Sequence, residues 1–323
     1  MAGFFGIGDF TKEGKGVDKN APKKRGLFAF FELYFRKFWK LLKLNLLYLI
    51  ANIPTFVIMF FVSGLVSSVI LNGAMPLIAE FSGTAAETAA SNPEFMKNMA
   101  IVDLVIRVYM SLLFTVLWGA GPVSCGFTYV LRNYSREEHA WLFSDFWQHT
   151  RDNFKQSIVV FLIDVVVFAA FVFSYYFYGT QANALYFLRY VIVCLAFVYT
   201  LAHFYIYPLM VTFKLSIKDV YRNSFLFALA KLPRNFLTLV LVLFVHMGIP
   251  FMSIYSGGYF GIYLLVFVLL EILILISTTG FIINFNVYPV IKEYMLAKAD
   301  PEKYGDNDDA EDENTVFNDD RII

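Results

Sequence analysis

Ser157-Ile-Val-Val-Phe-Leu-Ile-Asp164-Val-Val-Val-Phe-Ala-Ala-Phe-Val-Phe-Ser-Tyr-Tyr-Phe-Tyr178 runs for 22 residues with one charge, Asp164. As a helix it would rise about 33 Å, enough to cross a hydrocarbon core of about 30 Å. Five more runs of this kind lie at 44–71, 100–119, 186–209, 236–255 and 260–287. The composition agrees, with 59% hydrophobic residues and only 16% charged ones, against roughly 25% charged in soluble domains. A soluble surface cannot be built from so few polar residues. The fold class expected is therefore all-α: a polytopic membrane bundle of six transmembrane helices, with the lipid bilayer as its immediate partner. The 26 Lys+Arg balance 26 Asp+Glu, which argues against a nucleic-acid partner.

Placing the N-terminus inside puts 23 of the 26 basic residues in cytoplasmic segments. The positive-inside rule then places both termini in the cytoplasm. Residues 1–25 read as a flexible basic arm, and 26–297 as the membrane domain. Its first part, 26–43, is amphipathic: Glu32, Arg36, Lys40 and Lys43 share one stripe, and Phe31, Phe35, Phe38 and Leu42 the other. Such a helix lies in the membrane interface. No cleavable signal is expected, so the first apolar run directs its own insertion. The tail 298–323 carries ten acidic residues against three basic ones and reads as a disordered solvated segment. Cys125 and Cys194 have no partner spacing and read as buried thiols.

A threefold hairpin repeat is also legible. Asn45, Asn153 and Asn235 each precede an apolar run, and Pro122, Pro208 and Pro289 each close the next one. The last two Asn-to-Pro spans match within one residue, and the first is longer by about the outer segment 72–99, which reads as an insertion. The prolines are expected to break the helices and turn the chain onto the cytoplasmic surface. Ser135 with Glu138, and Ser216 with Asp219, have capping-box spacing. Both are expected to start cytoplasmic amphipathic helices.

Catalytic motifs are missing. The glycines at 6–16 lack the ending of a phosphate loop, no HExxH occurs, and 121–126 does not fit a nucleophile elbow. The chain reads as a non-enzyme with no catalytic residues, no cofactor and no metal. What remains is a set of ionisable residues inside apolar runs, each expensive unless paired or wetted. Asp103 and Arg107, one turn apart, form a self-neutralising structural pair. Asp164, His203, His246 and Glu271 are the candidate intramembrane polar site. The last two lie near mid-membrane and are expected to face the bundle interior, where they either hydrogen-bond as structural glue or serve transport.

Gly121-Pro-Val-Ser-Cys-Gly-Phe-Thr-Tyr-Val-Leu-Arg-Asn-Tyr-Ser-Arg-Glu-Glu-His-Ala-Trp141 is distinctive, as are Ser144-Asp-Phe-Trp147, Asn153-Phe-Lys-Gln156, Tyr207-Pro208 through Phe213 and Leu232-Pro-Arg-Asn235. Together these stretches resemble the YesL-like family of bacterial integral membrane proteins, a domain of unknown function, over about residues 26–296. The resemblance implies a bacterial plasma-membrane protein encoded near carbohydrate-uptake systems, and it transfers no catalytic residue. The leading expectation is an accessory or permease-like component working with the subunits of a membrane transport complex. The alternatives are a self-contained secondary transporter and a structural or sensory membrane module. The topology has a direct check: a cysteine at Ser91 should label from outside intact cells, and one at Asn307 only after permeabilisation. Labelling of both from outside would refute the assignment.

Overall fold

The computed structural model describes residues 26–81, 92–118, 121–181, 184–254 and 260–299. The expected basic arm 1–25, the middle of the 72–99 segment, the connection at Gly257-Gly258 and the acidic tail beyond 299 lie outside these residues. All described secondary structure is helical. The chain divides into two units, 1–37 and 38–323. In the first, the helix that starts at Leu27 stacks aromatic rings one turn apart, Phe30 on Tyr34 and Phe31 on Phe35. Phe31 and Phe35 are exposed, as an interfacial apolar face requires.

The helices are α1 (Leu27–Ala51), α2 (Ile53–Phe81), α3 (Pro93–Trp118), α4 (Ser124–Ser135), α5 (Leu142–Asp152), α6 (Phe154–Gly179), α7 (Leu188–Thr212), α8 (Ile217–Ala230), α9 (Leu232–Ile254), α10 (Phe260–Leu270) and α11 (Ile276–Ile291). A π-helical turn, Glu271–Leu275, joins α10 to α11, and a second one, Lys292–Leu296, follows. Among the described residues three helical stretches are long and apolar enough to cross a membrane: Phe154–Gly179, Leu185–Thr212 and Val266–Leu296. Two bent pairs raise this to five if each is one span. The run 100–119 falls in α3.

The bends correct two expected boundaries. The amphipathic helix does not stop at 43; it continues through Asn45 to Ala51, and α2 leaves it at 68°. Likewise α9 leaves α8 at 94° across Lys231. Each new helix carries proline at its second position, Pro54 and Pro233. Proline is tolerated in a first helical turn, but its ring clashes with the carbonyl four residues back, which favours a break between the previous helix and the one it starts. Pro208 and Pro289 behave differently from expectation, because both lie inside helices. The Thr212 hydroxyl donates to the Pro208 carbonyl as α7 ends, and a π turn, Lys292–Leu296, begins three residues after Pro289. Only Pro122 sits in a turn. Beside it Gly121 (φ 115°) approaches Asn52 and Thr55 so closely that no Cβ would fit.

Ser216 caps α8 as its spacing predicts, accepting the Asp219 amide at 3.2 Å. Ser135 does not start a helix. It ends α4, its hydroxyl turned back to the Arg132 carbonyl at 2.7 Å. Helix α5 begins seven residues later, at Leu142, where the Asp145 carboxylate accepts the Trp141 amide.

The core gathers around α4. Every residue from Ser124 to Tyr134 is buried, as is all of α7 from Tyr199 to Val211. Helix α4 packs on α5, α7 and α11, and glycines set the spacing. A Cβ on Gly126 would strike the Phe146 backbone and the Thr150 hydroxyl, while one on Gly280 would strike the tip of Leu131 and the ring of Phe127. Gly126→Ala should therefore lower the thermal midpoint in detergent by the equivalent of about 1–3 kcal/mol of overpacking. Gly280→Ala should cost less, because side-chain tips yield where backbone cannot. Equal midpoints for the two variants would contradict this packing.

Candidate functional site

Two of the four candidate ionisable residues meet between α6 and α7. Asp164 is 0% exposed. Its Oδ1 accepts the Tyr199 hydroxyl at 2.6 Å, and its Oδ2 lies 3.0 Å from His203 Nε2. An ionised carboxylate buried without partners would cost several kcal/mol. Here both oxygens are engaged, and an imidazole is placed to balance the charge. Apolar walls surround the pair: Met59, Phe114, Trp118 and Phe161 form one cluster with Tyr199. Tyr199 precedes His203 by one turn, which places both side chains on the same face of α7.

The other two candidates meet between α9 and the π turn. His246 Nδ1 lies 2.5 Å from Glu271 Oε1, and its Nε2 lies 2.7 Å from the Thr279 hydroxyl. Both residues are buried, and Glu271 Oε2 is buried with no protein partner. The bond to His246 engages one carboxylate oxygen and offsets part of the cost of burying the other. The His246 carbonyl in turn accepts the Tyr109 hydroxyl of α3.

Asn45, expected as a repeat landmark, holds the π turn open. Its Nδ2 donates to the carbonyls of Glu271 (3.0 Å) and Ile272 (2.8 Å), and its Oδ1 accepts the Ser277 amide at 2.7 Å. The carboxamide thus stands between an amide and a carbonyl that would otherwise bond along the helix. A side chain inserted in this way is a recognised cause of helix distortion. Asn235 makes a similar fork, donating to the carbonyls of Phe227 and Ala228 at the end of α8 while accepting the Tyr205 hydroxyl at 2.7 Å. Asn153 donates only to the His149 carbonyl of the preceding turn. Relative to the helix breaks the three differ: Asn45 lies seven residues before one, Asn153 on one, and Asn235 four after one.

Asp103 and Arg107 bond to each other at 2.7 Å, half-buried, and neither bonds to a member of the two buried pairs. The Arg107 guanidinium covers Gly64 of α2, and its carbonyl accepts the Ser63 hydroxyl. That contact is how the pair holds α3 to α2.

Arg132 was counted in sequence as a cytoplasmic charge, yet it is buried. It donates to the Val211 carbonyl and the Thr212 hydroxyl, both at 3.1 Å, and its guanidinium lies over the Tyr129 ring. A cation there satisfies the carbonyl end of α7. Burial pulls the guanidinium below the usual arginine range, and Arg136 adds to the effect. Burial also raises the Tyr134 hydroxyl to about 12.

A central cavity of about 50 Å³ adjoins His203 and is lined among others by Tyr48, Ser124, Thr128, Tyr207 and Asn284. The Tyr207 hydroxyl is buried without a protein partner. Among the described residues no three His, Cys, Asp or Glu side chains gather as metal ligands.

The clamp at Asn45 has a measurable consequence. Asn45→Ala leaves buried backbone groups without partners, each worth about 1–3 kcal/mol. Asn153→Ala removes one local bond, to the His149 carbonyl in the last turn of α5. The first variant should melt well below the second in detergent; equal melting would remove the clamp.

Residues 99–175 match the model of a family described as "Protein of unknown function, DUF624". The matched segment holds Asp103, Arg107 and Asp164, together with α4 and α5, and leaves His203, His246 and Glu271 outside. No curated protein and no solved structure matches the chain.

Proposed function

We propose that the chain is a non-enzymatic multi-pass protein of the bacterial plasma membrane, of the YesL-like kind, serving as an accessory or permease-like component in carbohydrate uptake. One observation favours a component over a self-contained sugar carrier. The cavity beside His203 of the Asp164 pair, about 50 Å³, is far below the roughly 300–1,000 Å³ of small-molecule sites. Helices α5 and α8 meanwhile expose Phe143, Trp147, Leu226 and Leu229, which suits interfacial docking against other subunits. The proposal includes six spans, with α3 as the sixth, and both termini in the cytoplasm, resting on the distribution of basic residues. It also includes the threefold repeat, registered on the helix breaks before α2, α6 and α9 rather than on the asparagines. Copurification from native membranes tests the reading: a stoichiometric ATPase or solute-binding protein is expected, and recovery of the chain alone contradicts it.

The second reading, a secondary transporter, is favoured by the burial of two imidazole–carboxylate pairs within the membrane runs. It requires Glu271→Gln to abolish proton-coupled uptake in liposomes while the protein stays folded. Unchanged uptake would leave Glu271 as interhelical glue, the role it would also have in a purely structural or sensory module.

A further inference from the structure

We propose that Asp164 and His203 form a proton-binding site inside the bundle, hydrated from the central cavity and linked by the hydroxyls of Tyr199 and Tyr221 to the surface that carries α8. The direction of the hydrogen bonds supports this. Tyr199 has one hydroxyl proton, and it goes to Asp164 Oδ1 at 2.6 Å. In the 3.5 Å contact between Tyr199 and Tyr221, Tyr221 is therefore the donor. Tyr221 is half-buried on the amphipathic helix α8, so the hydroxyl chain starts near the surface and points inward to the carboxylate.

On the other side His203 lines the cavity. One turn further along α7, the buried Tyr207 hydroxyl lacks a protein partner. Pro208 has no N–H to give the carbonyl of Phe204, and both residues line the same cavity. A volume of about 50 Å³ with several polar groups holds a few waters, since one water needs roughly 10–15 Å³ and two to four partners. Water there satisfies these groups and meets the imidazole.

The pair carries one exchangeable proton. With it, the pair is neutral; without it, a net negative charge stands among Met59, Phe114 and Phe161. The titratable groups that interact with Asp164 are Tyr199 and Tyr207 from α7 and Tyr221 from α8, and behind them Cys125 from α4 and Tyr48 from α1 interact with Tyr207. Helices α2 and α3 present Met59, Phe114 and Trp118, none of them ionisable. A proton that bonds to the Tyr221 oxygen from water on the α8 side displaces that residue's own proton to Tyr199. Tyr199 passes its proton to Asp164, and the proton held by the pair leaves through the imidazole to cavity water. One proton enters, one leaves, and no tyrosinate forms. The site depends on neither functional reading, because exchange needs no solute.

Trp118 reports on it, stacked on the His203 ring at 6.0 Å with 20° between planes. A protonated imidazole quenches indole emission. The full chain carrying W39F, W141F and W147F keeps Trp118 alone and can be studied in liposomes. Emission should rise with pH in a single transition that His203→Gln and Asp164→Asn both remove. Should Asp164→Asn not fold, His203→Gln decides alone, with circular dichroism confirming its helices. Tyr221→Phe should keep the equilibrium transition but slow the response to a pH jump on the α8 side by about a hundredfold, the lower range for a positioned proton donor. Emission that ignores pH, or a transition that survives His203→Gln, would overturn the site. A Tyr221→Phe response as fast as the parent's would overturn the path.

Discussion

A helix that bends or ends where water is excluded strands amides and carbonyls that must find other partners, and this architecture depends on how those groups are met. Asn45 of α1 takes over two carbonyls and an amide at the π turn before α11. Asn235 of α9 takes two carbonyls at the end of α8, and Arg132 of α4 takes the end of α7. In the first and third cases the satisfying side chain comes from a helix distant in sequence. Each irregularity therefore fixes a tertiary contact, so the distortions determine which helices must be neighbours.

The same constraint governs charge. Asp103 is neutralised by Arg107 within one helix, and Asp164 and Glu271 are each set against an imidazole from a neighbouring helix. Aromatic packing supplies the low polarity that makes these pairings strong. Trp118 touches both Tyr199 and His203 and also donates to the Thr200 hydroxyl at 3.0 Å. The ordinary cohesive packing of α3 against α7 thus shapes the surroundings of the Asp164 pair.

The membrane class and the short-range pair were legible because both are local: a run of 22 apolar residues, and two charges four apart. The four intramembrane ionisable residues were also visible singly, since a charge in an apolar run stands out. Their partners were not. Thr279 and Tyr199 look like unremarkable polar residues in apolar helices, although Tyr199 lies one turn before His203, a spacing that could have suggested it. Arg132 was missed because a basic residue beside a polar loop reads as solvated, while its burial depends on where α7 ends. The prolines misled for a geometric reason. Pro54 and Pro233, in first turns, accompany the bends, whereas Pro208 and Pro289, near helix ends, lie inside continuous helices. Sequence marks where a helix is weakened, and the environment decides whether it breaks.

The central claim is that buried polar groups from different helices form single neutral units. A double-mutant cycle on His246 and Glu271 tests it most directly, measuring unfolding free energies of His246→Gln, Glu271→Gln and the double variant in mixed micelles. Coupled residues show interaction energies of about 0.5–3 kcal/mol. The account predicts that the double variant is destabilised by much less than the two single losses combined, because either one alone strands a buried partner. Simple additivity would show that the two side chains do not act as one unit, and would contradict the account.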